Sequence, residues 1–349
     1  MKNTPKILLQ SRKHAFTHSA WYGVWIILAV FTTLFFSLPM GKVSLGFAEN
    51  TSQPSAPIYA ERSVLEALPL SARFPSITDG TLLNRVLRTD ESLKADTAVL
   101  QEQAGKEHIW QTNNVGIEHL VLGTAANPFI LVRINPAVYE FVLCMASEKG
   151  ESLSFKDWAL EHNLHVAINA SMYLPDEKTS TGYMQSATHS NNERIGSRLG
   201  AFFVAEPFDL ENSPRVAIIE KGDSEWEKRI QEYRIRVQNF RLLGRDGTVP
   251  WKKNKKPGSI AAIGQEDNGN IVFMVSVLPL TVPEFARIAR LLVPRLANAM
   301  YVEGSVKVGM YLHDGEEAHI WQGRKNIVYT PAPQDTRIPN IIGVVPRER

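Results

Sequence analysis

The 349 residues contain one cysteine, Cys144. An intrachain disulfide framework is therefore excluded, and so is a cysteine-built zinc or iron–sulfur site within one chain. Cys144 lies in the apolar run Phe141-Val142-Leu143-Cys144-Met145 and reads as a small buried hydrophobe. An excess of one charge is lacking too, because 38 basic against 36 acidic side chains leave a net charge of +2. With no surplus of Lys and Arg to neutralise a phosphate backbone, nucleic acid is not an expected partner. A Walker loop, a GxGxxG turn after a strand, a GxSxG elbow and an HExxH helix are all missing. There is no internal repeat and no low-complexity tract.

What is present is a globular composition, 44% hydrophobic and 21% charged, in a chain long enough for one large or two ordinary domains. One segment departs from that average. No Asp, Glu, Lys or Arg occurs between Lys13 and Lys42, and Trp21 to Leu38 is dense in Trp, Ile, Leu, Val and Phe. About 20 such residues are what a helix needs to cross a bilayer. Lys2, Lys6, Arg12 and Lys13 precede it, so the positive-inside rule keeps residues 1–19 cytoplasmic and sends the remainder across. Residues 20–40 are read either as an uncleaved anchor or as a long signal segment with cleavage after Ala48; a buried soluble helix is the third reading. The first two predict an extracytoplasmic protein, held to the inner membrane or secreted.

Residues 41–114 read as a tether and an N-terminal extension, rich in Pro, Ser and Ala up to about residue 80 and polar with weak helical periodicity thereafter. From 115 to 349 the texture becomes short apolar runs of strand length, among them Ile130–Ile134, Val166–Ile168, Ala201–Val204, Val216–Ile219, Ile260–Ile263 and Ile271–Val277. Two helices interrupt them. Ser154 is placed to cap Phe155 to His162, and Thr281 with Glu284 forms a capping box before the stripe Phe285, Ile288, Ala289, Leu291 and Leu292. Asp246-Gly247 and Asn268-Gly269 fit tight turns. Strands outnumber helices without strict alternation, which predicts one α+β domain of mixed or antiparallel sheet with packed helices. The run His313-Asp314-Gly315-Glu316-Glu317-Ala318-His319 gathers metal-capable side chains but reads first as a polar hairpin turn, and a divalent cation stays open.

The order of several short motifs carries more information than any one of them. It runs Gly116-Ile117-Glu118, Ala167-Ile168-Asn169-Ala170-Ser171-Met172-Tyr173, Gly182-Tyr183, Ala201–Val204, Val237-Gln238-Asn239-Phe240-Arg241-Leu242, Ala261-Ala262-Ile263-Gly264 and Ala299-Met300-Tyr301-Val302-Glu303-Gly304-Ser305. Over roughly residues 115–345 this resembles the phosphodiester glycosidase family, whose members release a sugar from a sugar phosphodiester. The family's first motif reads approximately Ala-Ile-Asn-Gly-Gly-Phe-Phe and its last Leu-Asp-Gly-Gly-x-Ser. Asn169, Gly182 and Gly304 match, and Tyr173 replaces one aromatic by another. Glu303 stands for the family's Asp, while Ala170, Ser171 and Ser305 replace glycines.

The resemblance implies an exported glycosidase acting on a sugar C1–O–phosphate linkage of an envelope or matrix glycan. Cleavage through an oxocarbenium-like state calls for a carboxylate near C1, and Glu303 is the candidate base or nucleophile. A cation must hold the leaving phosphate; Arg194, Arg198 and Arg241 are the candidates, Arg241 first because apolar residues flank it. Asn169 is expected to meet a sugar hydroxyl and Tyr173 a sugar face, with Gly182, Arg198, Gly304 and Ser305 around them. The other reading is a catalytically silent, membrane-tethered module that binds glycan or protein, which the replaced glycines favour.

Overall fold

The computed structural model describes residues 80–113, 116–251, 256–324 and 336–347, with side chains from residue 91 onward. The apolar segment 20–40 and the Ala48 cleavage position lie outside the described residues. Among those described, no helix is long and apolar enough to cross a membrane.

In chain order the elements are α1 (Gly80–Ala104), β1 (Gln111–Thr112), β2 (Glu118–Thr124), β3 (Asn127–Ile134), β4 (Tyr139–Met145), α2 (Ala146–Lys149), α3 (Phe155–His162), β5 (Val166–Asn169), β6 (Met184–Gln185), β7 (Ser190–Asn192), β8 (Ala201–Pro207) and β9 (Val216–Glu220). There follow α4 (Trp226–Ile230), β10 (Tyr233–Asn239), β11 (Arg241–Leu243), β12 (Gly258–Glu266), β13 (Ile271–Leu280), α5 (Val282–Leu292), β14 (Leu296–Gly304), a 3₁₀ turn at Ser305–Lys307, β15 (Gly309–His313), β16 (Ala318–Gln322) and β17 (Asn340–Pro346). They form three sheets, ordered β1-β2-β3-β13-β12-β14-β11, β7-β6-β10-β8-β9 and β16-β15-β5-β17-β4. Every strand pair among the described residues is antiparallel, which places the chain in the α+β class.

The three sheets turn one face each toward a shared core that includes Val132, Phe141, Ile168, Phe203, Val237, Phe273, Val302 and Met310. Strand β13 explains why its sequence is an unbroken apolar run. Phe273 and Val275 face that core, while Val272, Met274 and Leu278 face a second one under α1 and α5, so no residue of the strand reaches water. Strand β8 behaves alike, with Phe203 inward and Phe202 outward beneath Trp226 of α4. Both expected helices form. Ser154 accepts from the Asp157 N–H, and Thr281 and Glu284 cap each other reciprocally. The polar stretch before residue 114 contains α1, whose Leu100 and Ala104 are buried in the second core.

Candidate active site

Glu303 sits near the end of β14, and the register there is irregular. Ala261 of β12 pairs with Glu303 while Ala262 pairs with Tyr301, leaving Val302 as the extra residue of a bulge. Without a bulge, residues 301 and 303 share one face. With it, Tyr301 packs toward the second core and Glu303 lies opposite Ala261, which faces the first. A bulge re-aims a side chain in this way. The Asn239 amide donates to the Val302 carbonyl at 3.0 Å and fastens the bulge from the neighbouring sheet.

Glu303 is 7% exposed, its Oε1 accepts the Gly304 N–H at 2.8 Å, and Oε2 is buried with no hydrogen-bond partner. Burial pushes its pKa up to about 8, against the opposing pulls of the Gly304 N–H and the nearby Lys307 ammonium. Tyr173 is raised to about 12 by its own burial first and by the Glu303 charge next; Tyr301 moves the same way for the same reasons. Lys307 lies 5.7 Å from the Tyr173 ring centroid, 3.6 Å from the Glu177 carboxylate, and donates to the Arg337 carbonyl at 2.9 Å.

Asn169, Tyr173 and Glu303 are thus brought into one neighbourhood, but Asn169 works on the backbone. Its Nδ2 donates to the Lys307 carbonyl and its Oδ1 accepts the Gly309 N–H, both at 2.8 Å, so it clamps the turn after Glu303. The replaced glycines are accommodated below the site. Ala170 is in the core, and Ser171 shares a 2.6 Å hydrogen bond with Ser180. Gly304 and Ser305 are where the motif leaves least room. A Cβ at Gly304 would stand 2.1 Å from the Tyr301 hydroxyl, and Ser305 adopts φ +67° in the left-handed region.

A cavity of about 350 Å³ opens beside Glu303, lined by Tyr301, Gly304, Ser305, Lys256, Arg324 and the apolar ends of β12 and β13. Arg324 donates through its backbone N–H to Ser259 Oγ at 3.0 Å and through its guanidinium to the Ala126 carbonyl. The cavity lining therefore includes one acidic residue, Glu303, and two basic ones, Lys256 and Arg324.

The expected arginines do not supply those cations. Arg241 is drawn instead to the buried Glu220 carboxylate at 3.0 Å and does not line the cavity. Arg194 and Arg198 are exposed on the loop before β8. Gly182 is a packing glycine, since a Cβ there would meet Leu199 Cδ1 at 2.5 Å and the Gln238 carbonyl oxygen at 2.8 Å. Lys256, Arg324, Lys307 and Asn239 went unassigned in the sequence. A usable signal existed for Lys256 alone, in the basic run Lys252-Lys253-Asn254-Lys255-Lys256.

The His313–His319 segment is a hairpin turn between β15 and β16, in which Asp314 accepts the Glu316 and Glu317 N–H groups. Asp314, Glu317 and His319 have ligand atoms within 4.8 Å of one another, and the Asp314–His319 contact is 2.7 Å. They lie at the far end of β15 from Asn169, outside the cavity lining. A site of carboxylate and imidazole there suits a divalent ion by donor type, while the cavity's one carboxyl, among the described residues, is Glu303.

A protein-family model described as phosphodiester glycosidase matches residues 162–345, spanning β5 to β17. The chain belongs to the phosphodiester glycosidase family. Among solved structures it is similar to a hypothetical protein from Synechocystis, at 14% identity and a TM-score of 0.49, over 69% of this chain and 64% of that one. It is also similar to the catalytic domain of the zebrafish N-acetylglucosamine-1-phosphodiester alpha-N-acetylglucosaminidase, auto-inhibited by its pro-peptide. There the identity is 10% and the TM-score 0.49, over 70% of this chain and 85% of that one. No curated protein matches.

Proposed function

We propose that this protein is a glycosidase that hydrolyses a sugar C1–O–phosphate linkage in a glycosyl phosphodiester, with Glu303 as its acid–base group. Family membership supports the reaction class. The single observation that carries the site is the juxtaposition of the Glu303 carboxyl with Lys256 and Arg324 in one cavity.

The surroundings of Glu303 favour a proton donor in the resting state. With its pKa near 8 the group keeps its proton at neutral pH, and the Gly304 N–H on Oε1 leaves Oε2 to carry that proton into the site. The Oε2 proton passes to the phosphate oxygen leaving C1, which takes the C1–O bond electrons with it. Lys256 and Arg324 hold the departing phosphate monoester, the guanidinium in a bidentate grip. Water adds its oxygen to C1 and returns a proton to the now ionised Glu303, whose charge steadies the oxocarbenium-like state between the two steps. Tyr173 and Tyr301 supply a ring face and a hydroxyl for the sugar.

We place the activity outside the cytoplasm, on an envelope or matrix glycan. The apolar segment from Trp21 to Leu38 after Lys2, Lys6, Arg12 and Lys13 supports that placement. Incubating the purified full chain with N-acetylglucosamine-1-phosphodiesters, with and without Ca²⁺ or Mg²⁺, tests the reading. Release of free sugar abolished by Glu303→Gln supports it. Ligand binding with no release by the wild type makes the protein a silent glycan-binding module.

A further inference from the structure

The hairpin between β15 and β16 gathers donors for a metal ion away from the cavity. Asp314 Oδ1 accepts the backbone N–H groups of Glu316 and Glu317, both at 2.9 Å, and Oδ2 meets His319 Nε2 at 2.7 Å. Glu317 Oε1 stands 3.9 Å from the same nitrogen, and one ligand atom from each of the three side chains falls within 4.8 Å of the others. Ligand atoms around one tetrahedral ion are about 3.4 Å apart, given metal–ligand bonds of about 2.1 Å. The three atoms thus bracket the spacing an ion imposes, and the exposed Glu317 side chain can rotate to close the difference. The two N–H groups on Oδ1 fix the Asp314 carboxylate from behind, as a second shell does for a ligating carboxylate.

A fourth donor comes from a different sheet. His119 of β2 pairs with Val132 of β3, and His319 of β16 pairs with Leu312 of β15. Directly paired residues share a face of their sheet, and Val132 and Leu312 both belong to the shared core. The two imidazoles therefore lie on the core-side faces of two sheets. Asn113, just before β2, donates to the His313 carbonyl at 3.4 Å, so the two sheets touch at this rim. His119 is within electrostatic reach of both His319 and Asp314. Its Nδ1 is buried with no hydrogen-bond partner, a costly state for a polar atom unless something takes up its lone pair or proton.

We propose that His119, Asp314, Glu317 and His319 bind one divalent ion of the zinc class, which fastens β2 to the β15–β16 hairpin. Two carboxylates balance the charge of the ion, and two neutral imidazoles complete a tetrahedral set. The proton shared by Asp314 and His319 goes to solvent as the ion takes its place. Imidazole donors select zinc-like ions over Ca²⁺ and Mg²⁺, which prefer oxygen alone. With four protein ligands the site is closed and structural, and it lies outside the cavity of Glu303, so it stands apart from the glycosidase reading.

The full chain, free of any histidine tag and stripped with chelator, is titrated calorimetrically with ZnCl₂ and with CaCl₂, and its thermal denaturation is followed with each. The expected result is one Zn²⁺ per chain, bound about 100-fold or more tighter than Ca²⁺, with a rise in melting temperature that chelator reverses. His319→Gln should weaken Zn²⁺ binding by about 100-fold, and His119→Gln and Glu317→Gln by about tenfold or more. Glu317 is on an exposed turn, so its variant reads ligation with the fold intact. His162→Gln, at the exposed end of α3, should leave binding unchanged. Zn²⁺ bound no more tightly than Ca²⁺, binding unmoved by His319→Gln or Glu317→Gln, or an equal loss in His162→Gln would each overturn the site. Binding indifferent to His119→Gln would overturn the link between the sheets.

Discussion

The side-chain amide of Asn239 reaches across from β10 to the carbonyl of Val302, 3.0 Å away and one residue before Glu303. A buried asparagine thus holds the bulge that gives the carboxyl its burial. Asn239→Ala leaves the Val302 carbonyl buried without that partner and should cost about 1–3 kcal/mol in urea denaturation. The more telling change is chemical. A relaxed bulge lets Glu303 turn toward solvent, so the midpoint of any Glu303-dependent pH profile should fall from near 8 toward 4.5. An unchanged midpoint would show that Asn239 stabilises the sheet without placing the carboxyl.

Glu303→Gln keeps shape and hydrogen bonding but removes the proton. Sugar release should drop by a factor of about 10²–10⁴, the usual worth of a general acid–base group. Because the protonated form is the working one, kcat/KM in the wild type should decline as pH rises through about 8. A rate that climbs through the same range assigns Glu303 the role of base or nucleophile.

The same carboxyl sets a pH dependence of stability. Its folded pKa lies above the ordinary 4.5, so the native state binds the proton more tightly than the unfolded chain does. The stabilisation is fully present below pH 4.5 and is lost between there and about 8, at roughly 1.4 kcal/mol for each pH unit. Denaturation midpoints measured at pH 5 and pH 9 should differ in the wild type, and the difference attributable to this group should vanish in Glu303→Gln.

Ser305 holds a left-handed φ of +67° that glycine adopts at no steric cost. Ser305→Gly should therefore stabilise the protein by about 0.5–1 kcal/mol by thermal denaturation. Gly304→Ala should do the opposite, by about 1–3 kcal/mol, because its Cβ collides with the Tyr301 hydroxyl.

Topology has its own test. A reporter fused after Arg349 should be active on the extracytoplasmic side alone; cytoplasmic activity would remove both the export and the envelope-glycan reading.

The sequence was most readable where a residue's role depends on its immediate neighbours. Ser154 and Thr281 cap the helices they precede, and the continuous apolar runs at 201–204 and 271–277 became strands covered on both faces. Motif order singled out Asn169, Tyr173 and Glu303, which lie in one neighbourhood around Lys307. The Arg241 ion pair could not be read, because its counter-charge, Glu220, is on another strand and nothing near position 241 announces it. Arg324 was invisible for the same reason, and Lys256 was marked only by its basic run. They line one cavity because β12 lies between β13 and β14, and because the backbone after β16 turns back onto Ser259. Helix α1 showed only as weak periodicity, since its apolar face is sparse and its helical state depends on the sheet that Leu100 and Ala104 cover.

The Gly304 N–H bonded to Glu303 Oε1 has a spectroscopic consequence. An amide proton held against a carboxyl resonates further downfield when that carboxyl ionises, so the Gly304 signal titrates with its neighbour's charge. It is a native reporter, one residue from the group it reads and requiring no label on the side chain. Occupancy of the cavity by an anion, which holds the proton on Glu303 to higher pH, would appear as a displacement of that titration curve before any product is formed.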